Sequence, residues 1–139
     1  MAKDIFHDAV REALEKEDWT ITHDPYSVYH KEQQIDYDID LGAEKLLAAE
    51  KGLERIAIEV KTFAKPSLPY EFHSVLGQYL VNISILRRFD PDRTLYLAIP
   101  LYADERIEGF PFILEVVKEY QVNILVFDSK TKTIVSWKR

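Results

Sequence analysis

Residues 35–61 read IDYDIDLGAEKLLAAEKGLERIAIEVK, from Ile35 to Lys61, and the way this stretch folds decides the architecture of the chain. It opens with acids at alternate positions, Asp36, Asp38 and Asp40, and closes on Ile58-Glu59-Val60-Lys61. Residues 43–51 have strong helix propensity, whereas Lys51-Gly52 is a hairpin signal ahead of the apolar strand-like run from Ile56 to Thr62. Two antiparallel strands are the reading that makes a geometric prediction. With Lys51-Gly52 as a two-residue loop, Glu50 faces Leu53, Glu44 lies opposite Glu59, Gly42 opposite Lys61 and Asp40 opposite Phe63. Directly opposed residues share a face, and so do residues two apart along a strand. Asp40, Glu44, Glu59 and Lys61 then share one face, with Ile58 and Val60 on the other. A one-residue slip would scatter the set.

Upstream, Phe6, Ala9/Val10 and Ala13/Leu14 recur at helical spacing behind Asp4 as N-cap, which predicts a helix over 4–18. Trp19 to Thr22 is a short strand ended by Asp24-Pro25, and Tyr26 to Lys31 is loop or edge strand. Downstream, Tyr70 to Arg88 is a helix with Phe72, Val75/Leu76, Tyr79/Leu80 and Ile83 on its apolar side. Gly77 inside it costs about 1 kcal/mol relative to Ala and suggests close approach to another element. Thr94 to Ile99 is a buried strand closed by Pro100, and Phe110-Pro111 opens a helix through about Tyr120. Val122 to Phe127 is a second buried strand, and Thr133 to Trp137 an edge strand. This order predicts one α/β domain over residues 1–139, a central mixed sheet flanked by helices.

Composition narrows the function classes. Hydrophobic content of 47% across 139 residues supports a folded core, and no apolar run approaches a membrane span. No signal-peptide pattern opens the chain, and the absence of cysteine excludes disulfides and thiolate chemistry, so a cytoplasmic setting is expected. A formal charge of −6 argues against broad nucleic-acid binding through phosphate neutralisation, and any DNA contact must be local or supplied by a partner.

Glu59-x-Lys61 says little as a triplet, since 139 residues with this much Glu and Lys yield one by chance; two strand side chains facing solvent is the plain alternative. Its setting says more, because Ile56, Ala57, Ile58 and Val60 make an interior strand where a charged pair is costly unless paired or metal-bound. With Asp40 upstream, the expected division of labour is that of phosphodiester hydrolysis. Asp40 and Glu59 supply hard oxygen ligands for Mg²⁺ (or Mn²⁺), and the Val60 carbonyl can add a third. Lys61 orients the attacking water or stabilises developing negative charge as a point charge. Gln78, on the helix after that strand, can reach the site with its amide. Asp36 and Asp38 read as a solvated strand edge, Glu44 as outer ligand or surface residue, and Glu12 as an intrahelical ion-pair partner that can otherwise approach the metal. The four histidines show no metal-ligand spacing. Arg87, Arg88, Arg93, Lys130, Lys132, Lys138 and Arg139 are the candidate phosphate contacts, although most such clusters are solvated faces.

Asp38-Ile39-Asp40-Leu41-Gly42-Ala43-Glu44, Ile58-Glu59-Val60-Lys61-Thr62-Phe63 and Leu76-Gly77-Gln78-Tyr79 closely resemble XisH-type proteins, the cyanobacterial fdxN-element excision controlling factors. The resemblance spans essentially the whole chain. It implies the restriction-endonuclease-like fold of the PD-(D/E)xK superfamily, core order αβββαβ, with Asp40 in the acidic position and Glu59 and Lys61 in the (D/E)xK positions. Gln78 resembles the glutamine of the RecB-like Q-x-x-x-Y motif, from which this chain departs by carrying Asn82 and Tyr79. No proline precedes Asp40. The resemblance further implies control of DNA-element excision during heterocyst differentiation, with DNA and a XisI-type companion as partners, no membrane, and a homo-oligomer left open. Two functions remain: a metal-dependent DNA endonuclease centred on Asp40, Glu59 and Lys61, or a non-catalytic regulatory protein that retains the fold.

Overall fold

Ile56, Ala57, Ile58 and Val60 are all fully or almost fully buried, which requires cover on both faces of their strand. That strand is one of the two central strands of a six-stranded mixed sheet in a computed structural model that describes residues 6–32, 34–39, 41–46 and 53–139. The elements are α1 (His7–Lys16), β1 (Thr20–His23), β2 (Tyr26–His30), β3 (Ile35–Ile39), β4 (Leu41–Leu46), β5 (Leu53–Val60), α2 (Leu68–Phe89), β6 (Arg93–Pro100), α3 (Leu101–Glu108), α4 (Pro111–Glu119), β7 (Ile124–Asp128) and β8 (Thr133–Lys138). The sheet order is β1-β4-β5-β6-β7-β8, while β2 and β3 form a separate antiparallel pair. β5, β6 and β7 run parallel, and the neighbours outside them are antiparallel. The expected mixed sheet flanked by helices is therefore present.

Strand alternation sorts the side chains into two cores. Ala57, Leu95, Leu97, Ile99, Ile124 and Val126 pack with α2, α3 and α4. Ile56, Ile58, Val60, Tyr96, Ala98, Leu125 and Phe127 pack on the other face with Ala9, Val10 and Leu14 of α1. β4 is a strand, as the hairpin reading expects, despite the helix propensity around it. Pairing to β5 and to β1 outweighs propensity there.

The register differs from expectation. Glu44 pairs with Arg55 and Gly42 with Ala57, so Glu44 is not opposite Glu59, nor Gly42 opposite Lys61. Among the described residues the last pair is Leu46 with Leu53, a register that a two-residue turn at Lys51-Gly52 cannot produce. Glu50, Lys51 and Gly52 lie outside the described residues, as do Asp4 and Asp40. Asp36 and Asp38 do not share a strand surface with β5 either. Asp36 pairs with Tyr29 and Asp38 with Ser27, in the two-stranded sheet. The chain changes sheets between Ile39 and Leu41, which a uniform period of two conceals.

Two more expectations change. Pro100 ends β6 but also serves as N-cap of α3, a helix not anticipated from the sequence, whose Ala103 and Ile107 are buried one turn apart. A Cβ added at Gly77 would meet nothing within 4 Å, so no close approach explains that glycine.

Candidate active site at the end of β5

Glu59 lies two residues beyond Ala57 and therefore faces α2, not α1. α2 begins at Leu68 behind Ser67, whose hydroxyl accepts the Tyr70 N–H at 3.4 Å, with Pro69 in the first turn. Its buried stripe, Phe72, Val75, Tyr79, Asn82 and Leu86, lays the helix along the sheet. That packing brings Asn82 over the end of β5, where its Nδ2 donates to Glu59 Oε2 at 3.2 Å. Lys61 Nζ lies 3.8 Å from the other oxygen, Oε1. Glu59 is 8% exposed, so these donors offset much of what burying a carboxylate costs.

Lys61 opens onto a cavity of about 630 Å³ shared with Lys65, Tyr70, Glu71, His73, Ser74 and Gln78. Lys61 and Gln78 are thus brought to one cavity, and Lys61 links it to Glu59. The loop that follows Lys61 is held by Arg106 of α3. Its Nη1 donates to the carbonyls of Phe63 at 2.6 Å and Lys65 at 3.0 Å, and Nη2 donates to that of Pro66 at 3.0 Å. Phe63 is fully buried with φ of 51°, a conformation unfavourable for a bulky residue, and the guanidinium helps hold it. Glu71 Oε1 accepts the Lys65 N–H at 3.2 Å, closing the loop from the helix side.

The other sequence candidates fall elsewhere. Asp40 lies outside the described residues. The Val60 side chain is buried on the α1 face. Glu12, on α1 and across the sheet from Glu59, pairs at 3.4 Å with Lys132 in the turn between β7 and β8, which removes it from the site and makes its ion pair long-range, not intrahelical. Lys138 binds Asp104 and Glu108, Arg139 meets Glu54, and Arg88 bonds Ser84. Arg93 is buried against Asp90 and the Ile56 carbonyl. These cations are engaged in holding the fold. Tyr79 turns into the core, donating to the Leu95 carbonyl at 3.2 Å and accepting the Asn123 N–H at 3.0 Å. Burial pushes its hydroxyl pKa up, partly offset by that amide.

Asn82, Arg106, Lys65, Tyr70 and His73 are site residues that the sequence reading missed. Only Asn82 carried a signal, lying one helical turn beyond Gln78. Among the described residues no group of three His, Cys, Asp or Glu side chains is placed to hold a metal.

The XisH protein family model matches residues 1–135. The chain belongs to the XisH family. Two crystal structures are similar to this XisH-family chain over nearly its whole length. One is an XisH family protein from Nostoc punctiforme, 36% identical, covering 98% of this chain and 100% of its own, with a TM-score of 0.85. The other is an fdxN element excision controlling factor protein from Anabaena variabilis, 36% identical, covering 99% and 100%, with a TM-score of 0.86. No curated protein matches. Among the described residues of this XisH-family protein, no helix is long and apolar enough to cross a membrane.

Proposed function

We propose that this XisH-family protein controls excision of a DNA element, as the name of its Anabaena relative suggests, through a restriction-endonuclease-like PD-(D/E)xK domain that hydrolyses phosphodiesters. DNA and a XisI-type companion are its proposed partners. The observation that carries the reading is that Glu59, at the end of an interior strand, and Lys61, just beyond it, lie 3.8 Å apart beside a cavity that Gln78 also lines.

A divalent ion, Mg²⁺ or Mn²⁺, fits the donor chemistry of hard oxygens from Glu59, Asp40 and the Val60 carbonyl. Leu41 pairs with Ile58, and in sequence Asp40 precedes Leu41 as Glu59 follows Ile58, which supports assigning the two acids to one site. Bound there, the ion would lower the pKa of water and offset charge building on phosphate. Lys61 places a positive charge at the cavity wall, where it stabilises a phosphate oxygen. The Gln78 amide orients the scissile group, and Asn82 fixes the rotamer of Glu59 from behind.

A second reading, a regulatory protein that keeps the fold without chemistry, is favoured by one observation. Both Glu59 oxygens already face donors within the protein, Asn82 and Lys61. Nuclease assays on plasmid and single-stranded DNA with Mg²⁺ or Mn²⁺, with the companion present, separate the two. Cleavage that drops at least about 100-fold in Glu59→Ala and Lys61→Ala supports catalysis. A folded wild type that cuts nothing under either metal leaves the regulatory reading.

A further inference from the structure

Among the described residues many cations are committed within the fold, whereas Lys31, Lys65, Arg87, Lys118 and Lys130 form no ion pair there, and of these only Lys65 lines the cavity beside Lys61. Arg11, Arg55, Arg93, Lys132, Lys138 and Arg139 are in ion pairs, and Lys16 and Arg106 donate to backbone carbonyls. The cavity beside Lys61 is different. Lys65 forms no ion pair among the described residues, and His73 and Gln78 make no side-chain hydrogen bond among them. Glu71, the one acid among the described lining residues, is turned to the Lys65 backbone. Beside these donors stands Tyr70, 77% exposed and in contact with no other ring among the described residues.

We propose that this cavity takes a single-stranded polynucleotide, with one base stacked on Tyr70 and the adjoining phosphate held by Lys65 and His73. The proposal rests on the reading of the same site as a phosphodiester-binding site and adds the form of its substrate. A duplex presents a stiff row of phosphates and needs an extended basic face, which a net charge of −6 does not favour. A single strand can bend one phosphate and one unstacked base into a local cluster. Aromatic side chains contribute affinity there without regard to base identity, because every base has a π-face. About 630 Å³ is ample for a nucleotide unit within the usual range of ligand clefts.

Fluorescence anisotropy of a labelled oligothymidylate and of a duplex of equal length, each titrated with the full chain in EDTA, tests this without metal or cleavage. The single strand is expected to bind tighter than the duplex. Tyr70→Ala should weaken single-strand binding about 5- to 100-fold, whereas Tyr70→Phe should not. Lys65→Ala should reduce the slope of log affinity against log salt by about 0.7, one single-strand phosphate contact. Equal or tighter duplex binding, unchanged binding by Tyr70→Ala, or no oligonucleotide binding by the folded wild type overturns the proposal. Cleavage that requires Glu59 while Tyr70→Ala binds normally sinks this inference and spares the catalytic one. Tyr70-dependent binding with no cleavage under either metal does the reverse.

Discussion

Asn82 and Glu59, 23 residues apart in sequence, meet across the α2–β5 interface with Nδ2 and Oε2 3.2 Å apart. Both side chains are buried, so the amide supplies part of what water would otherwise give the carboxylate. Asn82→Ala removes that donor and should lower stability by about 1–3 kcal/mol, read as a shift in urea midpoint at unchanged m-value. Asn82→Asp should cost more at neutral pH, because it sets a second carboxylate against the first, and its deficit should shrink on acidification. Equal midpoints for wild type and Asn82→Ala would show that the contact contributes nothing.

That pair also marks how far the sequence could be read. The interior character of β5 follows from its apolar run, and the shared face of Glu59 and Lys61 follows from strand period alone, whatever the register. Register itself depends on the connection between β4 and β5, and a Lys-Gly dipeptide is too weak to fix its length. The passage from β3 into a different sheet at β4 leaves no mark on polarity alternation, so Asp36 and Asp38 looked continuous with the site. Asn82 could be found only by knowing how α2 lies across the sheet, and Arg106 only by knowing that α3 exists.

Arg106 ties α3 to the loop bearing Lys65 through three carbonyls. A guanidinium presents donors as a planar fork, which an ammonium cannot copy. Arg106→Lys should therefore reproduce most of the loss seen in Arg106→Ala, about 1–2 kcal/mol in stability. Amide hydrogen exchange across residues 61–67 should accelerate in both variants. Protection equal to wild type in that segment would show that the loop holds its shape unaided.

Gly77 is exposed within α2, and a Cβ there meets open space. Gly77→Ala should thus raise stability by up to about 1 kcal/mol through helix propensity alone. Thermal and urea unfolding both measure it. A destabilised variant would mean that α2 needs the freedom of glycine at this point.

Asp90, just past the end of α2, accepts the Tyr26 hydroxyl at 2.7 Å and Arg93 Nε at 2.9 Å, with Arg55 at 3.3 Å. Burial pushes its carboxyl pKa up, but the tyrosine hydrogen bond and the two guanidiniums outweigh that and hold it below the ordinary 3.8. The folded state therefore binds this proton more weakly than the unfolded chain. The resulting stability is fully present above about pH 4 and is lost as pH falls through the lower folded pKa. Asp90→Asn should cost about 1–3 kcal/mol at pH 7, leaving Arg93 buried beside a neutral amide. Its deficit relative to wild type should narrow as pH falls below about 4 and the native carboxylate gains a proton, as urea titrations at stepped pH would record. A deficit constant across that range would mean that the Asp90 charge adds nothing beyond the shape of the side chain.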